Sequence, residues 1–158
     1  MSRIPVAAAL ATTALVAGAV ALTVSADSAT AGPSYTSTRY VAHDIDGNFA
    51  MADLADPQNG QPGIGDELAF TQRLTRGGHT VGRVSNVAVG VDAQRNLFHS
   101  TGTLQLRHGR VEFAGIVSQT AHFVLAVTGG TGTYTGARGT LVFDNDNGRQ
   151  LLTLRLRH

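Results

Sequence analysis

The sequence predicts an all-β protein, a closed antiparallel barrel of eight short strands. From residue 39 to the C-terminus, apolar and polar residues alternate in short runs separated by turn residues, and no long helical period appears. Glycines are frequent within these runs, most densely between Ala126 and Gly139. Strands that contain glycine can bend, which favours closure, and closure removes the edges that an open sheet would expose. An open sandwich is the alternative architecture.

The first four predicted strands alternate between apolar and polar residues, and turn-forming residues separate them. They are Arg39–Asp46, Glu67–Thr75, Thr80–Asp92 and Asn96–Arg107. A long loop at 53–65 joins the first two, because prolines, glycines and asparagines follow one another closely there.

The last four predicted strands complete the barrel in the same way. They are Arg110–Gln119, His122–Val127, Thr133–Asp144 and Arg149–Arg157. His108-Gly109 is a short turn between the fourth and fifth strands. Asn147-Gly148 is a strong type I′ hairpin signal, since both positions of that turn require a positive φ.

The N-terminus is predicted to be a secretory signal peptide, which would make the mature protein secreted. Arg3 gives a positive start, Ile4–Val24 is apolar, and Ala29-Thr30-Ala31 fits a cleavage site. An uncleaved membrane anchor is the alternative, because the apolar run is long enough to span a bilayer. We therefore expect a signal peptide at 1–31, a flexible lead-in at 32–38 and a barrel domain at 39–158.

The composition excludes several classes of function. The chain has no cysteine, so no disulfide framework forms. All 12 of its Lys and Arg residues are arginine, which excludes a Schiff-base lysine and a phosphate-binding lysine loop. A net charge of +1 is too small to indicate binding to nucleic acid or to an anionic membrane. The histidines show no metal-ligand spacing, and Gly130-x-Gly132 lacks the helix and the lysine of a phosphate loop. We predict no metal and no cofactor.

Three segments, in order, resemble one known group of proteins. Gly65–Leu74 resembles the Gly-Asp-x-x-x-Phe-Thr-x-x-Leu segment of allene oxide cyclases. Ala126–Gly139 resembles the glycine-rich segment of dirigent proteins, and His43-Asp44-Ile45 is similar to the start of the dirigent first strand. The resemblance covers residues 39–158. It implies an eight-stranded barrel with an apolar cavity, often trimeric, that steers ring closure or coupling of reactive intermediates.

The same resemblance suggests catalytic residues on the first strand. Asp44 stands where ring-forming dirigent proteins carry an acid, and His43 is the alternative proton carrier. A carboxylic acid inside an apolar barrel would retain its proton and act as a general acid. Val41 and His43 stand where allene oxide cyclases carry a glutamate and an asparagine, so we do not expect allene oxide cyclase activity. Alternation allows either face of this strand to point inward, and composition slightly favours Val41, His43 and Ile45.

Four further residues are predicted to bind the substrate: Phe70, Asn86, Tyr134 and Arg138. Arg138 would bind an oxyanion or a carboxylate, or else form a structural ion pair; Tyr134 would line the cavity, or else pack as a core aromatic. The predicted function is a cofactor-free cyclase, isomerase or dirigent-type protein acting on a small hydrophobic metabolite. The alternative is a non-catalytic carrier of such a ligand. A homo-oligomer, trimer or dimer, is expected.

Overall fold

The computed structural model describes residues 34–52, 63–118 and 122–157, and the regular elements within these ranges are β-strands. The first four are β1 (Tyr35–Ala52), β2 (Glu67–Arg76), β3 (His79–Asp92) and β4 (Leu97–Leu106). The last four are β5 (Gly109–Ser118), β6 (His122–Gly132), β7 (Gly139–Asp146) and β8 (Arg149–Arg157). These ranges contain no helix long and apolar enough to cross a membrane. The predicted signal peptide lies outside the described residues.

The eight strands form a closed barrel in sequence order. Each strand pairs antiparallel with the next, and β8 pairs with β1 from Tyr35–Arg157 to Ala42–Gln150. The predicted closed eight-stranded antiparallel barrel is therefore confirmed, and the open sandwich is excluded. The hairpin signal between β7 and β8 also behaves as expected, since Asn147 and Gly148 have φ values of 51° and 79°.

Alternate residues of every strand point into the barrel and fill one half of it. The most deeply buried aliphatic side chains of this core are Leu74, Val84, Leu104, Val111, Leu125, Leu141 and Leu152. Phe113 and Phe143 pack edge to face in the same core, with ring centroids 6.2 Å apart. A Cβ at Gly102 would lie 2.4 Å from the Phe113 ring, so glycine at this position makes room for that ring. Burying each such side chain contributes about 1.5–3 kcal/mol.

β1 differs most from its prediction. It begins at Tyr35, because residues that were expected to form a flexible lead-in pair with the end of β8. It also continues to Ala52, past a register shift against β2 between Asp44 and Phe49. The inward face is the one that composition did not favour: Tyr40 and Ala42 are buried, each at 7% exposure. Of the predicted loop at 53–65, residues 53–62 lie outside the described part.

The connection between β6 and β7 helps to close the barrel at the end opposite the β7–β8 hairpin. β6 runs to Gly132, a turn spans 133–136, and β7 begins only at Gly139, six residues later than predicted. Tyr134 packs against the core cluster and lies close to Tyr40. Burial raises the pKa of the Tyr40 hydroxyl; Tyr134 adds to the rise, and Arg76 partly opposes it. We call this the closed end of the barrel.

Candidate functional site

The other end of the barrel, which we call the mouth, contains a cavity of about 200 Å³. Its walls are mainly apolar and come from seven of the eight strands. The lining residues are Phe49, Leu68, Phe70, Asn86, Ala88, Phe98, Ser100, Val117, Ser118, Phe123 and Gln150. Phe123 stacks on the core residue Phe143 with centroids 4.7 Å apart, so the wall is anchored to the packed half of the barrel. A rigid, largely apolar pocket with a few polar groups is typical of small-molecule sites.

Two buried polar side chains, Asn86 on β3 and Ser100 on β4, face this cavity. The Ser100 hydroxyl donates a hydrogen bond to Asn86 Oδ1 at 2.7 Å. Both residues are almost fully enclosed, at 6% and 1% exposure. No hydrogen bond in the described part of the chain uses the Asn86 amide nitrogen. Asn86 therefore offers a fixed donor to an acceptor atom of a ligand.

An open cleft of about 500 Å³ shares Phe49, Phe70 and Gln150 with the cavity. Asp44 lines this cleft and accepts a hydrogen bond of 2.7 Å from Gln72 Nε2. The same nitrogen donates to Gln150 Oε1. Three side chains from β1, β2 and β8 are thus joined in one polar network at the edge of the cavity.

The structure separates the two predicted catalytic residues. Asp44 lies on the same face of β1 as Tyr40 and Ala42, but it is exposed at the mouth and not enclosed in the barrel. His43 lies on the outer face, where its Nε2 is 2.9 Å from Thr75 Oγ1. Successive residues of a strand point to opposite faces, so only Asp44 can reach a molecule held at the mouth.

The four predicted substrate-binding residues divide equally between the two ends of the barrel. Phe70 and Asn86 line the mouth cavity, and their binding of a substrate stays a prediction. Tyr134 and Arg138 lie at the closed end and do not contribute to it. Arg138 is exposed and donates from one guanidinium nitrogen to the carbonyls of Thr128 and Ala137, at 2.9 and 2.8 Å. It stabilises the β6–β7 connection through these carbonyls. The predicted structural alternative, an ion pair, is not formed with any residue that the structure describes.

Sequence reasoning missed several residues of the mouth, of which Gln72, Ser100 and Gln150 carry the polar contacts. One signal was available for Gln72. It stands between Phe70 and Leu74 on the face of β2 that otherwise carries apolar residues, and a polar residue in such a row is typical of a functional position. Ser100 and Gln150 carry no such signal, because their neighbourhood depends on which strands close the barrel.

No protein-family model matches the sequence, and no curated protein sequence matches it significantly. Solved structures do match. Pyocyanin demethylase is similar with a TM-score of 0.66 and 23% identity, over 77% of this chain and 99% of that one. A pterocarpan synthase dirigent protein gives 0.59 and 17%, over 80% and 86%. The Diels-Alderase AbmU from Streptomyces koyangensis gives 0.56 and 16%, over 82% and 71%.

These comparisons show that the chain has the fold of the dirigent proteins and of the Diels-Alderase cyclases. The resemblance seen in the sequence is confirmed at that level.

Proposed function

We propose that this protein holds a small apolar molecule in its mouth cavity and directs the cofactor-free ring closure or coupling of that molecule. The observation that carries the proposal is the apolar cavity with one unused donor, the Asn86 amide, on its wall. Among the described residues, the amide nitrogen is not one of the enclosed polar atoms without a partner, so it is open to the cavity and can donate to an acceptor atom of a ligand. The substrate class is therefore an apolar molecule that carries a carbonyl or a similar acceptor.

The size of the site supports a ligand that reaches Asp44. Pockets for small molecules usually measure about 300–1,000 Å³. The mouth cavity alone, at about 200 Å³, is smaller than this, whereas the adjoining cleft measures about 500 Å³. A ligand of ordinary size that fills the cavity must extend into the cleft, and there it meets the network of Asp44, Gln72 and Gln150.

The proposed mechanism rests mainly on confinement. Aromatic walls around the cavity restrict a flexible substrate to few conformations, and holding two reacting atoms in contact lowers the barrier to their reaction. Asn86 fixes the orientation by binding one acceptor atom. Asp44, held by Gln72, is the group that exchanges a proton at the part of the substrate in the cleft.

The donor and the cavity can be tested with a matched pair of small probes, the bicyclic ketone 1-indanone and its parent hydrocarbon indane. We expect the wild-type protein to bind 1-indanone roughly 3- to 10-fold more tightly than indane, because only the ketone accepts from Asn86. Asn86→Leu should remove this preference and retain indane binding. Isothermal titration calorimetry measures both ligands.

Two phenylalanine substitutions provide the matched control. Ala88→Phe places a ring in the cavity and should abolish binding of both probes, whereas Thr101→Phe, on the outer face of β4, should leave binding unchanged. Circular dichroism checks that each variant is folded. Equal affinity of the wild type for both probes, or unchanged binding in a folded Ala88→Phe variant, would contradict the proposed site.

A second candidate function, a carrier without catalysis, is favoured by one observation: Asp44 is exposed to solvent. The two functions separate once the natural ligand is identified by mass spectrometry of molecules that co-purify with the protein. A directing protein converts the open or uncoupled precursor of that molecule. In that case Asp44→Asn should retain binding and lower turnover by roughly 100-fold or more, since a positioned group that transfers a proton contributes about that much. A carrier binds the ligand and shows no turnover in either form.

A further inference from the structure

A line of four arginines, together with His43 and Gln105, crosses the outer surface of the barrel, on the face of each strand that the mouth does not use. Cross-strand pairing places His43 opposite Arg73, Arg73 opposite Arg83, and Arg83 opposite Gln105. Gln105 in turn lies opposite Arg110. Arg149 lies beside His43, because each is next in sequence to a member of the Ala42–Gln150 pair. We call this line the cationic row: Arg149, His43, Arg73, Arg83, Gln105 and Arg110.

The cationic row contains no carboxylate, and acidic residues flank it only at its two ends. All six of its residues are exposed on the outer face. Among the described residues, none of its four arginines forms an ion pair with a carboxylate. The nearest acidic residues along the sheet are Glu112, two positions beyond Arg110, and Asp146, paired across the hairpin with Arg149. Like charges directly opposite one another in a sheet are destabilising, so this arrangement favours an external anion.

Part of the row already forms a recess. A cleft of about 470 Å³ on the outer surface is lined by His43, Arg73 and Arg149, together with Thr75 and Thr80. The remaining lining residues are Val41 and Gly78, so the cleft contains no acidic side chain. Arginine forks bind carboxylates in a bidentate manner, and threonine hydroxyls bind neutral oxygens beside them.

The shape of the row restricts the kind of anion. It runs over β8, β1, β2, β3, β4 and β5, which are six of the eight strands, with neighbouring side chains roughly 5 Å apart. A flat membrane cannot touch so much of a cylinder, whereas a flexible linear chain can follow it. Proteins that bind single-stranded nucleic acid stack its bases on aromatic rings. The row contains no aromatic ring other than the His43 imidazole.

We infer that the cationic row binds a linear acidic polysaccharide, with arginines on its carboxylates and interspersed hydroxyl and amide groups on its sugar oxygens. Ser85 and Thr103, next to the row on β3 and β4, add further hydroxyls on the outer face, as does Thr71 on β2. This surface is separate from the mouth cavity, so a bound polymer would hold the protein in place while leaving its ligand site open.

The test is binding to polygalacturonate, a polymer with one carboxylate on each sugar, measured by isothermal titration calorimetry at low salt. Two double variants change the net charge equally. R73Q/R83Q removes two arginines from the row, and R155Q/R157Q removes two exposed arginines of β8 outside it. We expect the first to weaken binding roughly 10-fold or more, and the second by less than about twofold. The first double variant should also reduce the steepness of the slope of log K against the logarithm of the salt concentration by about two.

Fully methyl-esterified polygalacturonate, which has the same backbone without charge, should not bind. Absence of polygalacturonate binding, or equal weakening by the two double variants, would overturn the inference. Tighter binding of heat-denatured DNA than of polygalacturonate would assign the row to nucleic acid and would equally reject the polysaccharide. Circular dichroism verifies that both double variants are folded, and neither pair of arginines lines the mouth cavity.

Discussion

Gln72 is the residue that departs most clearly from the requirements of a stable core. It is buried, at 7% exposure, and its side-chain nitrogen donates to both Asp44 and Gln150. Its Oε1 has no hydrogen-bond partner among the described residues. An enclosed oxygen without a partner costs about 1–3 kcal/mol, so stability alone does not explain a glutamine here. We interpret Gln72 as a positioning residue that orients Asp44 and Gln150 in the cleft.

This interpretation predicts the effect of Gln72→Met, which keeps the length of the side chain and removes its polar atoms. The unpaired oxygen disappears, and the more exposed Asp44 can bond to water instead, so we expect the free energy of unfolding to stay within about 1 kcal/mol of wild type or to rise. Urea denaturation followed by circular dichroism measures it. Gln105→Met, on the outer face, is the control and should change stability by less than about 0.5 kcal/mol.

A loss of more than about 2 kcal/mol in Gln72→Met would contradict the positioning role, because it would show that the amide stabilises the fold. At this scale the sequence singled out Phe70 and Asn86, which line the mouth cavity and whose role in binding stays a prediction, but it could not orient β1. Alternation along a strand defines two faces without saying which is inside. That choice is made by pairing with β2 and β8, which places Tyr40 and Ala42 in the core.

Among the elements, the connection between β6 and β7 shows best how local sequence determines structure. Gly132 and Gly136 both have positive φ values, 63° and 74°. They differ in their surroundings: a Cβ at Gly132 would lie 2.2 Å from the carbonyl oxygen of His108, whereas a Cβ at Gly136 would meet nothing within 4 Å. Both positions have a left-handed backbone conformation that favours glycine. Only Gly132 also lies so close to the backbone of a neighbouring turn that a side chain would not fit.

We therefore expect Gly136→Ala to lower the free energy of unfolding by about 1–2 kcal/mol, the cost of a left-handed conformation for alanine. Gly132→Ala should cost roughly 2 kcal/mol more than that, because the backbone of the neighbouring turn must move as well. Thermal or urea unfolding of the two variants in parallel measures the difference. Equal destabilisation would show that the contact with His108 contributes nothing.

Prediction succeeded for the elements with strong local signals. β8 has the predicted bounds, because alternating leucines follow a clear Asn-Gly turn. β1 extends beyond its prediction at both ends, since Tyr35–Thr38 are ordered by pairing with β8 and the part beyond Asp44 by a register shift against β2. Long-range pairing of this kind leaves no pattern in the strand itself. The predicted signal peptide and the predicted oligomer stay predictions.

For the whole molecule, the central feature is the difference between the two ends of the barrel. One half is filled by leucine, valine and phenylalanine side chains, and the mouth half retains a cavity with polar groups on its wall. The sequence predicted a barrel with a cavity, but not which end would be open. That outcome depends on how side chains from all eight strands pack at the same level, which no single strand determines.

The most direct test of the account is an NMR titration of the ¹⁵N-labelled protein with 1-indanone. If the mouth cavity is the ligand site, the amide signals of Ala88, Phe98, Ser100 and Phe123 should shift on titration. Signals from the closed end, such as those of Tyr134 and Leu154, should stay in place. Shifts confined to the closed end or to the outer face, or no saturable shift at all, would contradict the account.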